Sequence, residues 1–100
     1  MREADIEKKL VAYVKTCGGL ALKFTSPGNA GVPDRLVLLQ GRVLFVETKA
    51  PGKRLRPLQR YWRRTLEQLG FQVHVVNSLE SLERVKREIL NLSGGGPFHG

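Results

Sequence analysis

The stretch Asp34-Arg35-Leu36-Val37-Leu38-Leu39-Gln40-Gly41-Arg42-Val43-Leu44-Phe45-Val46-Glu47-Thr48-Lys49 decides how this chain folds. Two apolar arms, residues 35–40 and 43–49, flank a glycine-containing break, which is the pattern of a β-hairpin. A two-residue turn at Gly41-Arg42 pairs Gln40 with Val43 and sets Asp34 beside Lys49. A slip of one or two residues sets Asp34 beside Glu47 instead. In each register Asp34, Glu47 and Lys49 converge at the end of the hairpin away from the turn. Alternation along the second arm puts Val43, Phe45, Glu47 and Lys49 on one face and Leu44, Val46 and Thr48 on the other.

Upstream of the hairpin, Ile6, Leu10, Tyr13, Val14 and Cys17 recur at helical spacing, predicting an amphipathic helix over residues 3–17 that Gly18-Gly19 stops. Residues 20–25 form a short strand candidate, followed by the turn-rich run Ser26-Pro27-Gly28-Asn29-Ala30-Gly31. Downstream, Ala50-Pro51-Gly52 leads through a basic loop into a helix from about Leu55 to Leu69, with Leu55, Leu58, Trp62, Leu66 and Leu69 on one apolar stripe. Residues 71–76 read as an apolar strand, and Ser78 caps a last helix that buries Leu79, Leu82, Val85, Ile89 and Leu92. The order αβββαβα predicts an α/β chain of mixed α+β type, with a mixed, mostly four-stranded sheet flanked by helices. Residues 1–92 make one domain, and the Gly-rich tail 93–100 has nothing to pack and is expected to fray.

With 17 Lys+Arg against 9 Asp+Glu, the formal net charge is +8, a field that favours polyanions. No apolar run approaches the roughly 20 residues of a membrane span. The charged start Met1-Arg2-Glu3-Ala4-Asp5 lacks the hydrophobic region of a signal peptide. The single Cys17 has no disulfide partner and falls on an apolar helical face, so a core position and a cytoplasmic setting are expected.

Glu47 and Lys49 leave a strand that is otherwise hydrophobic, next to Asp34. Charges at the end of apolar strands are a poor source of stability, because desolvation costs several kcal/mol per ion. They are a good way to hold a hard divalent cation. Phosphodiester cleavage must activate water, neutralise charge around phosphorus and support a leaving oxygen; two carboxylates with Mg²⁺ or Mn²⁺ and a nearby Lys meet those needs. The bland alternative is a surface salt bridge between Glu47 and Lys49.

Gly31-Val32-Pro33-Asp34-Arg35, Phe45-Val46-Glu47-Thr48-Lys49-Ala50-Pro51-Gly52 and Pro57-Leu58-Gln59, in this order, resemble the PD-(D/E)xK nuclease superfamily, and more narrowly its VRR-NUC (virus-type replication-repair nuclease) branch. The resemblance spans about residues 3–92 and implies a restriction-endonuclease-like core. It implies that Asp34 and Glu47 bind metal, that the Thr48 carbonyl adds a ligand, that Lys49 is the catalytic lysine and that Gln59 is the Gln of the following helix. It also implies an acid on the first helix. On a helical wheel at 100° per residue from Ile6, Glu7 falls at about 100°, inside the apolar arc, so Glu7 is the candidate. Glu3, a turn earlier, is the reserve. Stand-alone members of the branch resemble Holliday-junction resolvases and act as homodimers, which makes a branched or four-way DNA junction the implied partner. A monomeric flap- or nick-directed nuclease of the same chemistry, and a nucleic-acid-binding module that does not cut, remain the alternatives.

Lys53, Arg54, Arg56, Arg60, Arg63 and Arg64 form a basic run with no acid inside it, interleaved with Tyr61 and Trp62. Such a run suits the phosphate backbone. Lys23 and Arg35 are candidates for further phosphate contacts. Trp62 lies on the apolar stripe, where packing is favoured over base stacking. His74, inside the last strand, is expected to be a satisfied half-buried residue, and neither it nor His99 has a zinc-ligand partner spacing.

Overall fold

The computed structural model describes residues 2–92; the expectation for the Gly-rich tail lies outside the described residues. The elements follow the order α1 (Glu3–Thr16), β1 (Leu20–Lys23), β2 (Arg35–Leu39), β3 (Arg42–Thr48), α2 (Pro57–Gln68), β4 (Gln72–Val76) and α3 (Leu79–Leu92). The four strands form one sheet in the order β1-β2-β3-β4. β1, β2 and β3 pair antiparallel in sequence, and β3 pairs with β4 in parallel. A parallel pair needs a crossover, and α2 supplies it. The αβββαβα expectation and the mixed four-stranded sheet are borne out.

Helix α1 buries Ile6, Leu10 and Val14 at a strict four-residue spacing. Its first turn is closed by the Arg2 N–H donating to Asp5 Oδ2 at 3.0 Å. It stops where Gly18 takes φ 83° and its N–H donates to the Lys15 carbonyl. Helix α3 begins as expected, with the Ser81 N–H donating to Ser78 Oγ at 3.0 Å and Leu82, Val85 and Ile89 facing inward, but Leu79, expected in the core, is exposed at its first turn. The core joins these two helices to Ala21, Val37, Leu39, Leu44, Val46 and Val76 of the sheet, with Cys17 buried among them as expected. On the other side of β3, Phe45 stands in a row with Phe24 and Phe71, ring centroids 5.9 and 5.5 Å away.

Two further expectations are corrected. The hairpin turns at Gln40-Gly41, not Gly41-Arg42: Leu39 pairs with Arg42 and Leu38 with Val43. Both turn residues have positive φ, 54° and 71°, the condition for a hairpin turn whose twist matches the strands. Turning one residue later would force Arg42 into that conformation while Gly41, which tolerates it best, moved to the first position. The second correction concerns α2. None of its residues is buried, and Leu58 and Leu69 are exposed, so its stripe is not a core face. It packs on β4 and is pinned over the loop before β2 instead. There the Trp62 Nε1–H donates to the Ala30 carbonyl at 3.0 Å, and the Leu58 backbone lies against Gly31, where an added Cβ would sit 2.8 Å from the Leu58 carbonyl carbon. Gly31, at φ 96°, therefore meets both a backbone and a space requirement that no other residue satisfies.

Candidate active site

The corrected register fixes the centre of the site. Arg35 pairs with Val46, so one more step along the same ladder brings Asp34 opposite Glu47. The slipped register is the one adopted. The β1 edge continues past Lys23, with the Phe24 N–H donating to the Asp34 carbonyl at 2.9 Å, so the Asp34 backbone is anchored on one side. On the other side the Thr48 N–H donates to Asp34 Oδ1 at 2.9 Å, and the Thr48 hydroxyl reaches Asp34 Oδ2.

Glu47 retains only 6% of its surface, on a strand whose neighbours are apolar. Burial, and then the like charge of Asp34, push its carboxyl up to about 7, with Glu3 adding to the rise and Lys49 opposing it. Asp34 and Lys49 are thus both close enough to act on Glu47. Lys49 is half-buried, and its N–H donates to the Val76 carbonyl at 2.9 Å, which ties the end of β3 to β4.

The folded state holds a proton on Glu47 more tightly than the unfolded chain does. Its contribution to stability is therefore full below the ordinary carboxylate range and is lost as pH rises through about 7. Without divalent metal, the thermal midpoint should fall between pH 4.5 and 7 by more in the native protein than in Glu47→Gln. Paired melting curves across that window check it; parallel profiles would remove the burial strain assigned to Glu47.

Glu7 lies where the wheel put it. Its Oε1 stands 2.9 Å from the Thr48 hydroxyl and its Oε2 3.3 Å from Arg35 Nη2. The reserve, Glu3, is exposed, and its charge adds to the rise of the Glu47 carboxyl pKa. Arg35 lines an open concavity with Glu7, Lys8 and Lys23; its side chain is 12% exposed, paired with Glu7, with Nη1 donating to the Ala21 carbonyl at 3.4 Å. Its ion pair and carbonyl contact tie Arg35 to the scaffold of the site. Lys23 is exposed beside it. Gln59 sits at the third position of α2, where its Oε1 accepts the Arg56 N–H at 2.8 Å and caps the helix.

Arg54, Arg60, Arg63 and Arg64 line one open concavity of about 530 Å³ with Leu55 and Glu67. Arg56 lies apart from it, lining a second one with Gly31, Leu58 and Gln59. Lys53 is exposed, and its carbonyl accepts the Asn77 amide at 2.8 Å. His74 is half-buried beside Gln72, and burial lowers its pKa, which agrees with a satisfied strand residue.

Among the described residues, no group of three or more His, Cys, Asp or Glu side chains is placed to hold a metal ion. The donor set that does converge is two carboxylates, Asp34 and Glu47, with the Thr48 backbone between them. Hard oxygen donors of that number suit a cation that keeps several waters, as Mg²⁺ does.

Residues 6–80 match the family model described as the VRR-NUC domain. The chain belongs to the VRR-NUC family. It is 52% identical over 79 residues to "Putative nuclease p44" of Acyrthosiphon pisum secondary endosymbiont phage 1, covering 78% of this chain and 85% of that protein. A solved structure described as a VRR_NUC domain superposes with a TM-score of 0.78 at 29% identity, over 85% of this chain and 94% of the other. The resemblance read from the three motifs is thus borne out, and a nuclease is the coarse function of this VRR-NUC chain. No helix of the described residues is long and apolar enough to cross a membrane.

Two features of this VRR-NUC site escaped sequence reasoning. The Thr48 hydroxyl joins Glu7 to Asp34 across 41 and 14 residues of chain, and no local pattern encodes that. The Arg35–Glu7 pair did leave a signal: Arg35 shares the strand parity of Val37 and Leu39, which face the core.

Proposed function

We propose that this chain is a Mg²⁺- or Mn²⁺-dependent DNA endonuclease, structure-selective and resolvase-like. The observation that carries the reading is a buried Glu47 carboxyl held against Asp34, with the Lys49 ammonium opposing the rise in its pKa. A fold gains nothing from two like charges there unless a cation joins them. Asp34, Glu47 and the Thr48 carbonyl would hold the ion, which supplies charge neutralisation at the phosphate and acidifies water. Lys49 then offers its ammonium to the phosphate oxygens or to the attacking water. In the reaction the water oxygen bonds phosphorus, the P–O ester bond breaks, and the departing oxygen takes up a proton.

The test is a cleavage panel of four-way junction, flap, duplex and single strand, with Mn²⁺ and with EDTA. Metal-dependent cutting of the junction above the rest is expected. Preference for flaps would favour the monomeric nuclease, and metal-independent binding without cutting would leave a binding module.

The concavity lined by Arg54, Arg60 and Arg63 is the proposed track for the DNA backbone. Replacing all three with Gln should weaken binding for every sequence alike and reduce the salt slope by about one unit per lost phosphate contact. Fluorescence anisotropy from low to high salt measures this; an unchanged slope would show that the concavity faces away from DNA.

Two symmetric cuts across a junction need two sites in two-fold relation, and this domain has one, so the resolvase-like reading includes a homodimer. The apolar side chains Leu20 and Leu22, 55% and 46% exposed on the edge strand β1, support it. The Tyr13 ring of α1 packs on the core, beneath Lys86. Light scattering at micromolar concentration should give twice the chain mass. A monomer that still places paired, symmetric nicks would refute the dimer.

A further inference from the structure

Thr48 touches both oxygens of Asp34, with its N–H on Oδ1 and its hydroxyl on Oδ2. One residue therefore sets both the position and the plane of that carboxylate. Thr48 is 1% exposed, at the last position of β3, so its own rotamer is fixed by the core around it. A buried hydroxyl needs a partner, and a Val would fill the same space without that requirement. Packing alone therefore does not call for Thr at this position.

The hydroxyl has one proton and two carboxylates within reach. Asp34 Oδ2 is the nearer, and Glu7 Oε1 lies at 2.9 Å on the α1 side. Glu7 is not a bare charge: Arg35 Nη2 holds its Oε2 at 3.3 Å, and that guanidinium is itself fixed on the Ala21 carbonyl. The hydroxyl donates to both carboxylates in a three-centre hydrogen bond, in which the Arg35-paired Glu7 is the weaker acceptor, so the proton favours Asp34 while Glu7 holds the hydroxyl from the other side. The chain Ala21–Arg35–Glu7–Thr48–Asp34 thus runs from the edge strand through α1 to the carboxylate.

We propose that the Thr48 hydroxyl, braced by the Arg35-paired Glu7, is a positioning residue that orients Asp34 for its cation. This rests on the metal-dependent reading of the site. Glu7 then acts through Thr48. Supporting groups of this kind typically change metal affinity or activity by about 10–100-fold when removed.

The experiment compares Thr48→Val, Thr48→Ser, Glu7→Gln and the double variant Glu7→Gln/Thr48→Val, with Mn²⁺ affinity from calorimetry and cleavage rate as separate readouts. Thr48→Val should bind Mn²⁺ about tenfold more weakly, with a similar drop in rate at limiting metal, while its thermal midpoint without metal stays near the native value. Thr48→Ser keeps the hydroxyl and should stay within about threefold of native in both. In the double variant, Glu7→Gln should add no further loss, because its effect has only Thr48 to pass through. Native Mn²⁺ affinity in Thr48→Val, a tenfold loss in Thr48→Ser, or additive losses in the double variant would each overturn the proposal. A native protein that neither binds Mn²⁺ nor cuts would instead overturn the metal-dependent reading.

Discussion

Asp34→Asn and Glu47→Gln are each expected to remove DNA cleavage, with a rate loss on the order of 10³-fold or more, about 4 kcal/mol of transition-state stabilisation. Both substitutions keep shape and remove charge. In Asp34→Asn the amide oxygen could still accept from Thr48, so the hairpin end should hold. Glu47→Gln would relieve a carboxylate that is 6% exposed and lies beside a second acid. Above neutral pH the metal-free Glu47→Gln protein should therefore melt higher than the native one, although it no longer cuts. Stability and activity moving in opposite directions is the mark of a group kept for chemistry. DNA binding should survive in both, because the concavity of Arg54, Arg60, Arg63 and Arg64 is untouched. Rates with Mn²⁺, melting curves without metal and anisotropy on junction DNA give the three readouts. Cutting at the native rate in EDTA, or in either variant, would sink the assignment of these carboxylates.

The pattern of the hairpin was legible because alternation determines faces: Leu44 and Val46 had to share a side, and both are core residues. Its register was not. The expected and observed pairings differ by two partners, and a shift of two returns every side chain to the same face, so the hydrophobic pattern is blind to it. Only turn chemistry separates them, and Gln40 in a positive-φ position is not a strong turn signal. That small shift decides whether Asp34 meets Lys49 or Glu47.

Helix α2 misled for a different reason. A stripe of Leu55, Leu58, Trp62, Leu66 and Leu69 looks like a core face at any chain length. A domain of this size, however, has too little interior to bury every apolar stripe. The core is filled by α1 and α3, and α2 is left pinned by Trp62 and by the Leu58 contact with Gly31. Gln59 was singled out through motif order, and its cap on Arg56 explains how a residue two positions from Pro57 serves helix initiation. Glu7 was legible from helical phase alone, whereas its partners were not, since the contact spans 41 residues to Thr48 and 28 to Arg35.

Lys49→Ala should slow cleavage on the order of 10²-fold while leaving Mn²⁺ and DNA affinity within a few-fold of native. The backbone of Lys49 is fixed by its N–H on the Val76 carbonyl, so the side chain leaves β3 in a defined direction. Its charge reaches Glu47, since it opposes the rise in that carboxyl's pKa. A group this close to Glu47 acts on whatever that carboxylate holds, and a single ammonium is compact enough to approach a phosphate oxygen or a water there. Lys49→Arg should recover little, because the planar fork of a guanidinium cannot occupy the place of a point charge at a half-buried position. Lys49→Met, which keeps the stem, separates charge from packing and should match the Ala variant in rate. If Lys49 served only as a salt-bridge partner of Glu47, its removal would change stability slightly and leave the cleavage rate near native. Single-turnover rates at saturating Mn²⁺ and saturating junction DNA distinguish these outcomes, because binding differences no longer contribute under those conditions.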